Sequence, residues 1–268
     1  MNFFGKAQPL VQVNLEVALS SLGLQPVTDM PVLWSVLTVE SRGFGFLQDR
    51  RPKILFERHI FFKETDGRFA AVAPDLCAKS GGGYVGGSAE FDRLARAIQL
   101  CQDAGLDEEP ALRSASWGLG QVMGFNAIAS GFESASDMAA RMCLSEAEQL
   151  AAMAGFIRSE GLDAKLRVRD WTGFARRYNG PTYWRNQYDV KLKAAFDKFA
   201  SGVSRDLRSR AAQGALVFLS YKPGDPDGIV GQNTRKAIVA FRRDNNMGDS
   251  ELLDDAVFDA IMQKAGLQ

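Results

Sequence analysis

In the segment Leu33-Trp34-Ser35-Val36-Leu37-Thr38-Val39-Glu40-Ser41-Arg42-Gly43-Phe44-Gly45, a single acid closes an otherwise apolar helical stripe. The 3.6-residue period of a helix puts Glu40 on the same face as Leu33 and Val36, so its carboxyl group is expected to point toward the core. Two glycines follow closely and are expected to end the helix. The acid is therefore predicted to lie at the floor of a cleft with apolar walls.

Burial of this acid has a chemical consequence, because desolvation disfavours the ionised form of a carboxyl group. A carboxyl with the ordinary pKa of about 4.3 is protonated roughly one time in 500 at pH 7, whereas at a pKa of about 6 the protonated share is roughly one in ten. Glu40 is thus a candidate proton donor. The sequence equally fits a glutamate in an ordinary last helical turn that pairs with Arg42.

The composition is that of a folded globular protein with one large and one small domain. The chain has 268 residues, of which 46% are hydrophobic and 24% charged, as expected for a chain with a sizeable core. Lys plus Arg equals Asp plus Glu at 32 each, so no basic field indicates nucleic acid as a partner. The apolar runs are shorter than the roughly 20 residues that cross a bilayer, so no membrane partner is expected.

Metal and cofactor chemistry is not expected. The single histidine, His59, excludes a multi-histidine metal centre and leaves little room for a Ser-His-Asp or Cys-His hydrolase. The cysteines Cys77, Cys101 and Cys143 are odd in number and widely spaced, which indicates buried thiols and neither a disulfide framework nor a metal site. Any catalysis is therefore expected to rest on carboxylates, without a cofactor.

The stretch 52–72 differs from its helical surroundings. Basic and apolar residues alternate between Ile54 and Phe62, and a Thr65-Asp66-Gly67 turn follows. This pattern predicts a small sheet or an extended lip beside the helices. Further along, two groups of glycines bracket Tyr84 and predict a flexible loop.

Capping signals divide much of the remaining chain into helices. Ser134 with Asp137, and Ser145 with Glu148, have the spacing of capping boxes. Helices are also predicted for residues 9–24, for about fifteen residues from 88 onward, for 170–178 and, as one amphipathic helix, for 182–200.

A Ser201-Gly202 break after the last of these helices marks the predicted domain boundary. Residues 1–201 are assigned to the large domain and 202–268 to the small one. The small domain shows helical spacing in 205–219, a Pro- and Gly-rich turn, and two further helical stretches, which predicts three helices.

Three segments of the chain, in order, resemble the motifs of the lysozyme-like superfamily, which includes goose-type lysozymes and soluble lytic transglycosylases. More narrowly, residues 40–46 together with 51–59 are similar to the N-acetylmuramidase family common among phage endolysins. The resemblance covers roughly residues 10–198 and implies a mainly α fold, with a lysozyme-like α+β catalytic domain, a small β lip and Glu40 as the essential acid. The three segments are Glu40-Ser41, Ser116-Trp117-Gly118-Leu119-Gly120-Gln121-Val122-Met123 and Arg177-Tyr178-Asn179-Gly180-Pro181.

The segment Asp227-Gly228-Ile229-Val230-Gly231 and the helical pattern that follows it are similar to the three-helix peptidoglycan-binding module of many wall hydrolases. Its glycines permit a tight turn into the helix, and Ile238 and Phe241 fall on the buried side. Arg242 stands where that module commonly has glutamine, and the helix is expected to tolerate this change.

A second carboxylate is expected as well, because glycoside hydrolysis needs a proton donor at the leaving oxygen and a further group across the sugar ring. Glu57 is the preferred candidate, Asp49 the alternative and Glu64 a weaker third. Glu57 is expected on a partly shielded strand, although an ion pair with Arg58 or Arg51 would explain it equally. Whether the anomeric centre is inverted or retained stays open, because that depends on the separation of the carboxyl groups.

Sugar amides and hydroxyls bind to neutral donors and acceptors along a groove. In the related families the glutamine-methionine segment lines the glycan groove, and the tyrosine-asparagine pair lies near the acid. Trp117 and Met123 are expected to pack in the core. The predicted substrate contacts are Ser116, Gln121, Tyr178 and Asn179.

These patterns predict a peptidoglycan hydrolase that cuts the β-1,4 bond between N-acetylmuramic acid and N-acetylglucosamine, with the C-terminal module as a wall anchor. Two alternatives stay open: a lytic transglycosylase with the same fold, and a non-catalytic wall-binding or phage structural protein. The expected protein is a monomeric phage endolysin without a signal peptide, which accumulates in the host cytoplasm and then acts on bacterial peptidoglycan in the periplasm or cell wall.

Overall fold

The structure is a computed structural model that describes residues 2–41, 44–203 and 205–268, the side chain of Ser41 excepted. Within these ranges the chain is mainly helical, with three short strands. Helix α1 spans Gln12–Ser21, and α2, which carries Glu40 in its last turn, spans Met30–Ser41. The predicted stop at Gly43 and the pairing with Arg42 lie outside the described residues. The other helices up to residue 203 are α3 (Arg58–Glu64), α4 (Glu90–Asp103), α5 (Glu109–Arg113), α6 (Ala135–Met142), α7 (Glu146–Ser159), α8 (Leu162–Arg167), α9 (Trp171–Tyr178) and α10 (Tyr188–Ala200), with 3₁₀ helices at Gly87–Ala89, Gly124–Asn126 and Tyr183–Asn186.

Helix α2 belongs to the larger of the hydrophobic cores. Its stripe residues Leu33, Val36 and Leu37 are at most 3% exposed, as predicted. Helix α10 packs along α2, where the rings of Trp34 and Phe199 lie with their centroids 6.4 Å apart. Each buried side chain of this size contributes about 1.5–3 kcal/mol, so core packing sets the position of the helix that carries Glu40.

The sheet consists of β1 (Ile54–Phe56), β2 (Ala115–Trp117) and β3 (Val122–Met123), in this order and antiparallel throughout. Ile54 pairs with Trp117, and Ser116 pairs with Met123. The predicted lip at 52–72 is therefore wrong in extent, since only three of its residues form a strand. Its partner strands are too short for an alternating pattern, so their pairing depends on tertiary contacts.

Helix α3 occupies a third of the predicted lip, and turns follow it. The fully buried ring of Phe61 packs against Phe56 and Phe69, each at a centroid distance of 5.6 Å, and a helical turn brings it there. Glu57 consequently occupies the N-cap position of α3, and the prediction that it lies on a strand is wrong. The turn predicted at Thr65-Asp66-Gly67 does follow the helix.

Side-chain hydrogen bonds at two helix starts support the predicted caps. The Ser134 hydroxyl accepts a hydrogen bond from the Asp137 amide at 3.0 Å, and the Ser145 hydroxyl accepts one from the Glu148 amide at 3.2 Å. These bonds satisfy backbone donors that have no partner within a helix. The predicted starts of α6 and α7 are therefore confirmed.

The single helix predicted at 182–200 is wrong. Gln187 separates the 3₁₀ turn Tyr183–Asn186 from α10 and has a φ of 53°. A left-handed residue cannot continue a right-handed helix, so the amphipathic pattern crosses a break that it does not reveal. Helix α9 and the end of α10 at Ser201 agree with the prediction.

The C-terminal part folds as α11 (Leu207–Phe218), α12 (Gln232–Asp244) and α13 (Asp255–Lys264) around its own hydrophobic cluster. Ile238 and Phe241 are fully buried in it, as predicted. Arg242 donates to the carbonyl oxygens of Met247 and Leu252 at 3.1 and 3.0 Å, which holds the loop between α12 and α13. The mainly α class with a small sheet and a three-helix C-terminal unit is confirmed.

The cysteines Cys77, Cys101 and Cys143 are buried free thiols, as predicted. Burial raises the pKa of Cys101 to about 11 and that of Cys143 to about 12. In the part of the chain that the structure describes, no helix has the length and apolar character to cross a membrane.

Candidate active site

The carboxyl group of Glu40 is enclosed by protein, although the residue as a whole is half-buried. Its Oε2 accepts a hydrogen bond from Asn179 Nδ2 at 2.9 Å. Its Oε1 is inaccessible to solvent and has no hydrogen-bond partner among the described residues. One oxygen is thus held in place by an amide, while the other is removed from water without a compensating donor.

Burial raises the pKa of Glu40 from 4.5 to about 7. Desolvation is the main cause, and the hydrogen bond from Asn179 acts in the opposite direction because it favours the carboxylate. At pH 7 about half of the molecules therefore carry the protonated acid. A group that is partly protonated at neutral pH meets the requirement for a general acid.

Tyr178 joins the third sequence motif to the second. Its hydroxyl donates to the carbonyl oxygen of Gly120 at 2.9 Å, and its ring stacks on Phe174 at a centroid distance of 5.1 Å. Burial, and then the negative charge of Glu40, raise the pKa of this phenol well above its ordinary value. Tyr178 therefore stays neutral and connects the end of α9 to the β2–β3 hairpin.

The side chain of Gln121 holds the hairpin together. The backbone of this residue is in the left-handed region, with a φ of 48°. Its amide nitrogen donates to the carbonyl oxygens of Gly118 and Lys53 at 2.9 and 3.3 Å, and its amide oxygen accepts from the Ser116 hydroxyl at 3.0 Å. Ser116 is only 5% exposed. The polar groups of both residues thus bond within the hairpin and to the chain at β1, and their role as sugar contacts stays a prediction.

Glu57 lies in a second polar cluster. Its two carboxylate oxygens accept hydrogen bonds from the Tyr84 hydroxyl at 3.0 and 2.9 Å. The Nδ1 atom of His59 lies 3.1 Å from Oε2, outside hydrogen-bonding geometry, and the side chain of Glu57 is 15% exposed. The Tyr84 phenol therefore orients this carboxylate, and the His59 imidazole lies beside it.

The other two candidate carboxylates are paired with guanidinium groups. Asp49 contacts Arg51, and Glu64 contacts Arg113, each at 2.6 Å. Arg58 donates instead to the carbonyl oxygen of Ser80 at 2.8 Å. The alternative interpretation, in which Glu57 forms an ion pair with Arg51 or Arg58, is thus wrong, because both arginines bind other groups.

Comparison with known proteins identifies the family. The N-acetylmuramidase family model matches residues 29–200. The chain belongs to the N-acetylmuramidase family. The muramidase is also similar to the crystal structure of the Burkholderia AP3 phage endolysin, with 38% sequence identity, a TM-score of 0.65 and 73% of each chain covered. No curated protein sequence matches the chain.

These findings confirm the predicted enzyme class, a glycoside hydrolase of the N-acetylmuramidase type, whose substrate is peptidoglycan. The matched region contains every predicted site residue, because these lie between residues 40 and 179. The family model does not extend to the three C-terminal helices.

The structure of the muramidase brings the predicted residues together in two groups. The first contains Glu40, Tyr178 and Asn179, which the hydrogen bond to Gly120 links to the hairpin. The second contains Glu57 and the loop residue Tyr84. Of the two hairpin residues expected in the core, Trp117 is fully buried and Met123 is half-buried.

Sequence reasoning missed the residues that hold the second group. Tyr84 is 48% exposed and directs its hydroxyl to Glu57. Its loop is fastened by the fully buried Glu90, which accepts hydrogen bonds from the amides of Val85, Gly86 and Phe56 at 2.7 to 3.1 Å. The glycines around Tyr84 marked that residue in the sequence. The bond from Glu90 to the Phe56 amide has no local signal, because Phe56 lies 34 residues earlier in the chain.

Proposed function

We propose that Glu40 is the general acid of this muramidase and that it protonates the oxygen between N-acetylmuramic acid and N-acetylglucosamine. The enclosed carboxyl group carries this proposal, since desolvation keeps it partly protonated at neutral pH. Protonation of the leaving oxygen lowers the barrier to an oxocarbenium-like transition state. Asn179 orients the acid by binding Oε2.

Glu57 is the proposed second carboxylate, which screens or attacks the sugar from the opposite face or activates a water molecule. Its support is the Tyr84 hydroxyl, whose single proton is shared between the two carboxylate oxygens of Glu57, whereas arginines neutralise Asp49 and Glu64. The expected cost of Glu57→Gln is about 10²- to 10⁴-fold in kcat. Asp49→Asn is the matched comparison, and a larger loss there would transfer the role to Asp49.

The proposed sugar contacts are the exposed parts of the hairpin and of the end of α9. Asn179 and Tyr178 line the acid directly, whereas Ser116 and Gln121 shape the hairpin at Gly120. Neutral amides and hydroxyls of this kind suit the N-acetyl and hydroxyl groups of a glycan strand.

The central experiment replaces Glu40 with Gln and measures the loss of turbidity of permeabilised bacteria. Lysis is expected to fall by at least about 10²-fold, because the amide has no proton to donate at the leaving oxygen. Glu133→Gln, an exposed glutamate, is the control and should lyse like the parent. Undiminished lysis by Glu40→Gln would show that the assigned acid is wrong.

The nature of the product separates two reactions of the same fold. Mass spectrometry of glycan digested by the parent protein is expected to show reducing N-acetylmuramic acid ends. Anhydro-muramic ends would assign a lytic transglycosylase instead, in which the 6-hydroxyl of the sugar attacks the anomeric carbon.

The three C-terminal helices are proposed to anchor the enzyme to the wall. A surface depression at the start of α12 supports this role, because the exposed Ile229 and Asn233 lie beside the acidic side chains of Asp225 and Asp227. Ile229→Asp is expected to weaken pelleting with purified wall while hydrolysis of soluble glycan fragments continues. Val203→Asp, at an exposed valine outside the depression, is the control. Unchanged pelleting of Ile229→Asp would remove the depression from the binding surface.

The biological role that fits these properties is that of a phage endolysin, as the similar Burkholderia phage protein is named. Such an enzyme accumulates in the host cytoplasm and reaches the peptidoglycan once the membrane is opened. Expression in a bacterial cytoplasm should therefore leave the culture intact until the membrane is permeabilised. Lysis without permeabilisation would contradict this role.

A further inference from the structure

A buried ion pair joins the C-terminal unit to the catalytic part of the chain. Arg210 on α11 binds Glu146 on α7 through two hydrogen bonds, at 2.5 and 2.7 Å. The two side chains are 3% and 0% exposed. Because a charge taken out of water is costly unless it is paired, the carboxylate of Glu146 depends on a residue that the other unit supplies.

Glu146 also accepts hydrogen bonds from two backbone amides, one that precedes helix α2 in the sequence and one that follows it. Its Oε1 accepts from the Gly45 amide at 2.9 Å, and its Oε2 accepts from the Leu10 amide at 3.1 Å. Among the described residues, the two oxygens thus receive four hydrogen bonds, two of them from Arg210. Arg210 positions the carboxylate that in turn positions Gly45.

The segment 44–50 lies between α7 and the C-terminal unit. The rings of Phe44 and Phe46 pack against Phe218 of α11, with centroids 5.6 and 6.4 Å apart. Further along, Arg50 donates to the carbonyl oxygen of Ala265 at 2.5 Å. On the other side, a Cβ added at Gly45 would lie 1.8 Å from Gln149 Oε1 of α7. The segment is therefore enclosed from both sides.

This segment follows the helix that carries Glu40 after only two residues. A link of that length spans at most about 11 Å between the Cα atoms of Ser41 and Phe44, so the position of Phe44 limits where the last turn of α2 can lie. A direct contact acts in the same direction, since Arg205 reaches the Thr38 hydroxyl of α2 at 3.5 Å. The C-terminal unit thus contacts helix α2 and also packs against the segment 44–50 that follows it.

We propose that Arg210 is a positioning residue for the muramidase reaction, which acts through Glu146 and Gly45 to hold the end of the helix that bears Glu40. The C-terminal unit is then a working part of the catalytic centre in addition to a wall anchor. This inference rests on the proposed role of Glu40 as the general acid. It extends that role, because it assigns part of the catalytic geometry to a unit outside the family match.

The test uses the full chain with Arg210→Met and, as control, Arg208→Met, whose parent side chain pairs with the 89% exposed Asp255. Hydrolysis of soluble glycan fragments separates kcat from KM without a contribution from wall binding. Amide hydrogen exchange at Gly45 reports the bond to Glu146 directly. We expect the Gly45 amide of Arg210→Met to exchange faster than that of the parent. The kcat should fall by about 10- to 100-fold, since a displacement of about 1 Å at a reacting group costs this much. The KM should change by less than about twofold.

A pH profile distinguishes positioning from simple loss of folded protein. Loosening of the last turn of α2 should admit water to the acid, so the alkaline limb of kcat should move to lower pH in Arg210→Met and stay in place in Arg208→Met. Arg210→Lys, which keeps one charge, should recover part of both kcat and the limb. A uniform loss of activity with an unchanged limb would overturn the proposal.

A double variant keeps the test decisive if Arg210→Met does not fold. Glu146→Gln with Arg210→Met removes both charges and leaves an amide oxygen that can accept from Gly45. It is expected to fold and to protect Gly45 more than Arg210→Met does, with a kcat below the parent value. Parental kcat despite lost protection at Gly45 would refute positioning while leaving Glu40 as the acid, whereas activity in Glu40→Gln would refute the acid itself.

Discussion

Asn179 lowers the pKa of Glu40, the proposed general acid. Burial raises the pKa of Glu40, and the hydrogen bond from Asn179 at Oε2 acts in the opposite direction, so that the pKa lies at about 7. A general acid ionises when it gives its proton to the leaving oxygen, and it must be reprotonated before the next turnover. The balance between one desolvated oxygen and one hydrogen-bonded oxygen therefore allows Glu40 to act in both directions.

Asn179→Leu is expected to move the alkaline limb of kcat to higher pH. The substitution keeps the side-chain volume but removes the donor that favours the carboxylate, so the pKa of Glu40 rises further and the protonated acid persists to higher pH. The measurement is kcat against pH on soluble glycan fragments, with Asn126→Leu as a control outside the cluster. A limb that moves to lower pH would contradict the assignment of Asn179 as the orienting donor.

The burial of Glu40 also predicts how stability varies with pH. Since its pKa is about 7 in the folded protein and 4.5 as the ordinary value, the folded state binds more protons between these values. The unfolding free energy therefore falls as pH rises through that window, by no more than about 3 kcal/mol from this group. In Glu40→Gln this loss should be absent, so urea midpoints of the variant and parent should diverge from about pH 4.5 to pH 7. A difference that is the same at every pH would show that the acid is hydrated.

At the scale of elements, helix α7 is the frame of the site. Glu146 and Gln149 lie nearly one turn apart on it, and they accept hydrogen bonds from the amides of Gly45 and Leu119 at 2.9 and 2.8 Å. These two amides belong to the segment after α2 and to the turn of the β2–β3 hairpin. A single helix thus sets the spacing between the acid and the hairpin next to it.

Gly155→Ala in α7 is expected to destabilise the protein, although alanine is the better helix former by about 1 kcal/mol. A Cβ at this position would lie 2.3 Å from the backbone oxygen of Ser130, which cannot rotate away. We expect a net loss of about 1–3 kcal/mol in the free energy of unfolding. The control, Ala151→Gly on the exposed face of the same helix, should cost about 1 kcal/mol from propensity alone. A stabilised Gly155→Ala would show that α7 shifts away from Ser130.

Local patterns predicted most helices of the molecule, including their caps at Ser134 and Ser145. They predicted a small sheet around β1 but did not predict β2 and β3, because these strands have only three and two residues and gain their stability from pairing across the chain. The break at Gln187 was missed for a related reason, since an amphipathic pattern continues through a single left-handed residue.

At the scale of the whole molecule, the two hydrophobic clusters are joined by a third one, which contains Ala7, Phe44 and Phe46 with Phe218 packed against it. This contact combines apolar packing with the buried Arg210–Glu146 pair. The two units therefore share structure that neither completes alone, in contrast to modules connected by a flexible linker.

The full chain is accordingly expected to unfold in one thermal transition. Phe218→Ala should lower its midpoint as a whole, by the equivalent of about 2 kcal/mol, because the half-buried ring fills the third cluster. Leu252→Ala, at a leucine that is 70% exposed, is the control and should leave the midpoint in place. Calorimetry checks both. Two separate transitions in the parent protein would show that the units are thermodynamically independent.

Residue order was enough to identify the family and the helical class and to propose Glu40 as the acid, because these depend on short motifs and on a 3.6-residue repeat that can be read without knowledge of the fold. Tertiary contacts set the protonation state of Glu40, the phenol that holds Glu57 and the docking of the C-terminal helices. Each of these properties depends on which distant groups exclude water or supply a donor, and such groups leave no trace in the local pattern. Glu146 is the clearest case, since the donors to its carboxylate within the described ranges come from residues 10, 45 and 210.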